Sequence, residues 1–191
     1  MGRIRGEIKT SGLTSGGRLA DDMSMDAERA RIEADLRGLV AGDVYCDRLR
    51  TQLYASDASL YEVMPLGVVR PRHTQDVVEV VRYAAENRIP LAPRGAGSGL
   101  AGQSLGPGLV LDFSKYMRRL VEVDAVAGRI RVQPGLVLAE LNTSLQAHGL
   151  IFGPDPATRA VSCVGSAIAI NASGSHYPIY GAPVDLLESV Q

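Results

Sequence analysis

Residues 93–108 read PRGAGSGLAGQSLGPG, and six of these sixteen residues are glycine. The run follows directly on Ile89 to Pro93, a short apolar stretch with the composition of a β-strand. Glycine tolerates φ > 0 and lets backbone come close to a ligand, so such a loop after a strand can aim several N–H groups at one anion. Two familiar glycine-loop patterns are tested first. The fingerprint GxGxxG fails, because Gly95 and Gly97 fit but the third position is Leu100. The phosphate loop GxxxxGK followed by Ser or Thr nearly matches from Gly97 to Ser104. Gln103, however, stands where the lysine belongs, so the positive charge on the β/γ-phosphates is missing and nucleotide hydrolysis is disfavoured. A dinucleotide pyrophosphate held mainly by backbone amides remains as the natural guest.

Upstream of the loop, Gly67 to Pro71 reads as a strand that Pro71 ends or places at an edge. Thr74 is a good N-cap with Asp76 in the first turn, and Val77, Val78, Val80, Val81, Ala84 and Ala85 make an apolar helix face running to Asn87. With the strand at Ile89 this is a strand–helix–strand unit suited to a parallel pair and a crossover helix. Downstream, Leu109–Phe113, Leu120–Asp124 and Arg129–Gln133 are strand candidates. Leu138, Leu141 and Leu145 mark a helix from about Leu136 to His148, stopped at Gly149. The chain closes on Asp-Leu-Leu-Glu-Ser-Val, which reads as the start of an apolar strand, and this suggests a fragment or a partner segment that completes it. At the other end, Gly, Ser and mixed charges make residues 1–24 a disordered leader. Residues 25–65 then form a helix (Asp26 to Val40, ended by Gly42) and a loop-rich region, and residues 66–191 form the domain that carries the glycine loop.

The whole chain has 191 residues, enough for one large domain or two small ones at roughly 100–200 residues each. Twenty basic residues against 21 acidic leave a net charge of −1, so no excess positive charge is available for a nucleic-acid backbone. No apolar run approaches the ~18 residues of a membrane span, and the N-terminus lacks a secretory apolar core. Cys46 and Cys163 form no CxxC pair, and His73, His148 and His176 are far apart, so no metal site is written. Two reduced thiols fit a cytoplasmic protein. Asp112 and Asp124 read as turn formers, and Cys163, in an apolar small-residue stretch, reads as a buried inert thiol.

Three motifs in fixed order carry a resemblance. PRGAGSGLAGQS at residue 93, FGPDPAT at residue 152 and VGSAIAINASGSHYPIYG at residue 164 resemble the FAD-binding domain of the vanillyl-alcohol-oxidase/p-cresol-methylhydroxylase flavoproteins. The resemblance is nearest to the branch of D-lactate, glycolate and D-2-hydroxyglutarate dehydrogenases. It implies an α+β fold of two α/β subdomains with FAD between them, the second one incomplete here. It also implies that Arg94, Gly95, Ala96, Gly97, Ser98 and Gly99, with Gly102 and Gln103, wrap the pyrophosphate. Pro154, Asp155, Pro156, Ala157 and Thr158 would line the flavin pocket. Gly165, Ser166, Asn171, Ala172, Ser173 and Gly174 would let backbone approach the cofactor. The branch usually has Gly-Gly where this chain has Gly165-Ser166, and commonly has Ser or Thr where this chain has Gly99, with Ser98 adjacent.

No histidine lies between residues 74 and 147, so the FAD is expected to be non-covalent. The implied activity is oxidation of a D-2-hydroxyacid, with the substrate-binding groups on a cap domain or partner subunit. No residue of this chain is therefore named as catalytic. A cytoplasmic location is implied, with the complete enzyme able to sit at a membrane surface. A flavin-carrying subunit without catalysis of its own, or a non-functional fragment, stays open.

Overall fold

The computed structural model describes residues 15–191. Helix α1 spans Ser15–Leu39, followed by β1 (Asp43–Tyr45), α2 (Arg48–Gln52), β2 (Gly67–Arg70), α3 (Thr74–Asn87), β3 (Leu91–Arg94) and β4 (Leu109–Asp112). A second group comprises β5 (Leu120–Asp124), β6 (Arg129–Val132), α4 (Leu138–Leu145) continued by a 3-10 turn at Gln146–His148, α5 (Val164–Ala169), α6 (Tyr177–Tyr180) and α7 (Pro183–Leu186). The expected leader needs correction: α1 begins at Ser15, so residues 15–24 are helical, and residues 1–14 lie outside the described residues. Helix propagation adds one hydrogen bond per residue once a nucleus exists, and the docked turns around Ile32 and Leu36 supply that nucleus.

The first sheet has the order β1-β2-β4-β3, with β1 antiparallel to β2 and the other three strands parallel. The strand–helix–strand unit forms, but its two strands are not neighbours, because β4 lies between them with Val110 opposite both Val68 and Ala92. The reason is chemical. All four residues of β4 are buried, whereas β3 carries Pro93, which cannot donate to a ladder and belongs at an edge.

Val69, Leu109 and Leu111 face α1 and α3, where Ile32, Leu36, Val80, Tyr83 and Ala84 complete the main core. Val68, Ala92 and Val110 face the other way, under Tyr54. The buried stripe of α3 is narrower than its run of valines implied: Val78, Val81 and Ala85 are exposed. Its N-cap is His73, one residue before the expected Thr74. No His73 side-chain bond closes that end; instead the Asp76 carboxylate accepts from the backbone N–H groups of Arg72 and Ala41.

A second core joins the β5–β6 hairpin to α4 and α5 through Leu120, Val123, Ile130, Val132, Leu138, Leu141, Leu145, Val164 and Ala167. Gly149, at φ +67, ends the α4 segment as its position predicts. The expected C-terminal strand is not formed. Pro183 opens the short α7 instead, with the Asp185 carboxylate accepting from the Ala182 N–H, and residues 187–191 are irregular.

Candidate cofactor cleft

The glycine loop leaves the C-terminal end of β3 and runs between the two cores. There it forms one wall of a cleft of about 400 Å³, within the ~300–1,000 Å³ range of small-molecule sites. The opposite wall comes from Pro134, Thr158, Ser162 and α5 with its following turn. Arg94 is the one charged side chain among the lining residues.

Of the residues that sequence points to, the cleft is lined by Arg94, Gly95, Gly97, Ser98, Gly99, Gln103, Thr158, Gly165, Ser166 and Ala172. The others stand behind this wall or beside it. The Ala96 N–H points at the Cys163 sulfur. Gly102 packs under the Tyr61 ring. Pro154 and Pro156 are buried, and Ala157 is exposed. Ser173 accepts from the Asp155 N–H at 2.8 Å, and Gly174 is bridged to Asp155. Asn171, at φ +53, accepts from the Val184 N–H and so ties α5 to α7. Asp155 itself opens onto a separate groove with Arg159 at 2.8 Å and His176 at 3.7 Å. Pro93, Ser104, Phe113, Pro134, Ser162, Ala167, Ala169 and Ile170 also line the cleft and were not singled out as contact residues. The Pro-Gly pair at residues 134–135 is a turn signal that could have drawn attention to that wall; Pro93 and Ser104 lie in the first motif and Ala167, Ala169 and Ile170 in the third, while Phe113 and Ser162 carry no pattern.

The loop is held against α5 by very close packing. A Cβ on Gly95 would run into the Ser166 hydroxyl and stand 3.1 Å from the Cys163 sulfur. Ser166, where a second glycine was expected, is therefore accommodated by the bare Gly95 opposite it. Cys163 is buried, and burial pushes its thiol pKa up, which keeps it protonated and unreactive. Three hydroxyls cross the cleft floor: Ser98 to Ser162 at 3.1 Å, and Ser162 to Thr158 at 2.6 Å.

The Arg94 guanidinium lies close against Gly97 of its own loop and reaches on to residues 54–56. Its Nη2 donates to the Ser56 carbonyl at 2.9 Å, and the group lies over the Tyr54 ring. Beneath it Asp112 is fully built into the fold. Its carboxylate accepts from the Tyr54 hydroxyl at 2.7 Å, the Arg70 Nε at 3.2 Å and both the N–H and hydroxyl of Ser114. The expected turn former is thus also the buried centre of a Tyr–Asp–Arg cluster. Asp124 does act at a turn, accepting from the N–H groups of Val126 and Ala127.

The N–H groups of Gly97, Ser98 and Gly99 meet no protein acceptor among the described residues. Open amides, an almost uncharged wall and a row of hydroxyls fit a phosphate-bearing dinucleotide with an apolar ring system. Among the described residues no group of His, Cys, Asp and Glu is placed to hold a metal ion, and no helix is long and apolar enough to cross a membrane.

A mixed helix-and-sheet fold with a glycine-loop cleft between two cores defines a nucleotide-cofactor-binding domain. The chain belongs to the FAD binding domain family, which matches residues 65–191, and FAD is its cofactor. It is 36% identical over 144 residues to D-2-hydroxyglutarate dehydrogenase of Escherichia coli K12, a match covering 74% of this chain and 14% of that protein. It is 33% identical to the glycolate oxidase subunit GlcD of Bacillus subtilis, over 70% of this chain and 29% of that one. With the mitochondrial D-lactate dehydrogenase [cytochrome] 1 of Saccharomyces cerevisiae it shares 29% identity, over 93% of this chain and 31% of that one. The chain therefore spans less than a third of the length of each of these three relatives.

Among solved structures, alkyldihydroxyacetonephosphate synthase superposes with a TM-score of 0.73 at 23% identity, over 83% of this chain and 32% of that one. 6-Hydroxy-D-nicotine oxidase from Arthrobacter nicotinovorans superposes at 0.63 with 26% identity, over 76% of this chain and 32% of that one. The α+β flavoprotein fold expected from the three motifs is the fold observed.

Proposed function

We propose that this chain is the FAD-holding part of an oxidoreductase acting on the CH–OH group of a D-2-hydroxyacid of the lactate, glycolate or 2-hydroxyglutarate type. The observation that carries the reading is the cleft itself: Gly97, Ser98 and Gly99, whose N–H groups have no protein acceptor among the described residues, line it together with α5, and no lysine stands among the lining residues. The names of the matched relatives, two dehydrogenases and a glycolate oxidase subunit, support the substrate class.

Gly97, Ser98 and Gly99 would hold the pyrophosphate through backbone N–H groups, and Ser162 and Thr158 would offer hydroxyls. Gly165, Ser166 and Ala172 would form the close wall for the flavin. When bound, the isoalloxazine supplies the redox chemistry by taking a hydride equivalent from the carbon bearing the hydroxyl. The work of this chain is to bind, orient and shield that ring. No histidine lines the cleft, which supports non-covalent attachment. Substrate-carboxylate binding and proton removal are assigned to groups on a cap domain or partner subunit. That one matched relative is called a subunit favours a second reading, a flavin-carrying chain that works only with a partner. Two buried free thiols support a cytoplasmic location for either.

Calorimetric titration tests the cofactor: FAD should bind and ATP should bind more weakly, and the reverse order would end the proposal. Acid precipitation should leave all flavin in the supernatant; yellow pellet would show a covalent link. Turnover of D-lactate, glycolate or D-2-hydroxyglutarate with a dye acceptor, by the chain together with its cap or partner, tests the substrate class.

A further inference from the structure

The segment just before the family match forms a loop of its own, closed by the Ser56–Glu62 bridge and by Val63 N–H donating to the Ala55 carbonyl at 2.8 Å. Its inner side touches the glycine loop at four places. The Ala58 N–H donates to the Gly97 carbonyl at 3.0 Å. The Ser56 carbonyl accepts from Arg94 at 2.9 Å. The Tyr61 ring covers Gly102, where a Cβ would stand 2.8 Å from it. The Asp57 carboxylate accepts from the Ser104 hydroxyl at 2.9 Å through one oxygen and from the Ser59 N–H at 2.8 Å through the other.

These contacts engage the loop at one backbone carbonyl, Gly97, at the Arg94 and Ser104 side chains and at the bare Cα of Gly102. With the Gly97 carbonyl held by Ala58, the Ser98 N–H of the same trans peptide unit is turned to the opposite side, away from residues 55–63. Asp57 is the one group that bridges both loops through a side chain to a buried partner, since Ser104 is 9% exposed and lines the cleft. A carboxylate is an odd choice beside a site for an anion, because its charge opposes the ligand. Its two-sided acceptor geometry, which holds two donors at once, accounts for its presence.

We propose that residues 55–63 are a clamp that fixes the FAD-cradling shape of the glycine loop, with Asp57 as its positioning residue, although Asp57 does not itself line the cleft. The inference rests on the FAD-holding reading. It implies that FAD affinity depends on the bonds Asp57 accepts and not on its charge. An asparagine can keep both bonds, because its carbonyl accepts from one donor and its amide can donate to a reoriented Ser104 hydroxyl.

The test is FAD affinity of the full chain, read by flavin fluorescence and absorbance, alongside the melting curve of the apoprotein. Asp57→Ala should fold cooperatively and raise the Kd for FAD about tenfold or more, while Asp57→Asn stays within about threefold of wild type. A smaller loss in Asp57→Ala, or a loss in Asp57→Asn equal to that of Asp57→Ala, overturns the clamp. If Asp57→Ala does not fold, Tyr61→Ala decides, since that ring is largely exposed. About threefold or greater weakening supports the clamp, and a smaller change overturns it. Failure of the wild-type chain to bind FAD would instead refute the FAD-holding reading, which the control titration shows separately.

Discussion

At the scale of single residues, the backbone of the glycine loop leaves little room for change. Gly97 sits at φ +68, where a side chain is strained, and a Cβ there would stand 2.5 Å from Arg94 Nη2. That guanidinium is anchored on the Ser56 carbonyl and cannot swing aside without losing the bond. Gly97→Val is therefore expected to weaken FAD binding by at least ~1.5 kcal/mol, about tenfold. An unchanged Kd would mean that the loop does not cradle the pyrophosphate. The glycines were legible because only glycine serves where backbone must come close. Ser162, which joins the hydroxyls across the cleft floor, was not legible, since one serine in a run of small residues carries no period and no spacing. Arg94 was legible as part of the loop, but its direction was not. Which way a guanidinium turns is decided by carbonyls some forty residues away in sequence.

Between elements, two buried polar groups carry the tertiary arrangement. Arg29 of α1 is 8% exposed and donates to the carbonyls of Cys46, Pro65 and Leu66 and to the Thr51 hydroxyl. One side chain thus ties α1 to the segments around β1, α2 and the start of β2. Arg29→Met should lower stability by on the order of 3 kcal/mol, because several buried acceptors lose their donor together. In urea the unfolding midpoint should fall with an unchanged slope. The second group is the Tyr54 phenol, pushed up to about 12 by burial and then by its bond to Asp112. Tyr83 is likewise raised to about 12, by burial and by Asp35. An acid whose folded pKa lies above its ordinary ~10 stabilises the fold fully below pH ~10. That contribution is lost as the pH climbs toward 12. The melting temperature of the wild type should therefore drop between pH ~10 and ~12. Tyr54→Phe should melt lower at pH ~8 but decline less steeply over the alkaline range; an equally steep decline would exclude Tyr54 as its source. Element existence was largely legible from apolar runs, turn residues and Gly149. Strand order was not, since it followed from the competition between an all-buried β4 and a proline-bearing β3 for the central place. The start of α1 was hidden because glycine and mixed charge describe a tail as readily as the first turns of a helix.

For the whole molecule, the arrangement is two hydrophobic cores with the cofactor cleft between them. The sheet core is built on β2 and β4 under α1 and α3, and the second on the β5–β6 hairpin under α4 and α5. The three motifs made the family legible because they fix the order of the glycine loop and the opposite wall. Nothing in their spacing told that the loop would be backed by residues 55–63, because that contact joins segments with no shared pattern. FAD in the cleft would touch the glycine loop from the first core and α5 from the second, and so couple the two. At a free concentration of ~100 Kd a ligand stabilises the native state by about 2.7 kcal/mol. If FAD bridges the cores, that gain must appear in both. Hydrogen exchange in the apoprotein should be faster over the short α5 and its flanking turns than in β2 and β4, whose residues are almost wholly buried. Adding FAD should slow exchange over residues 95–104 and 162–172 together, with the same dependence on FAD concentration. Protection confined to the glycine loop would mean that the cofactor rests on the first core alone, and that α5 does not form the flavin wall.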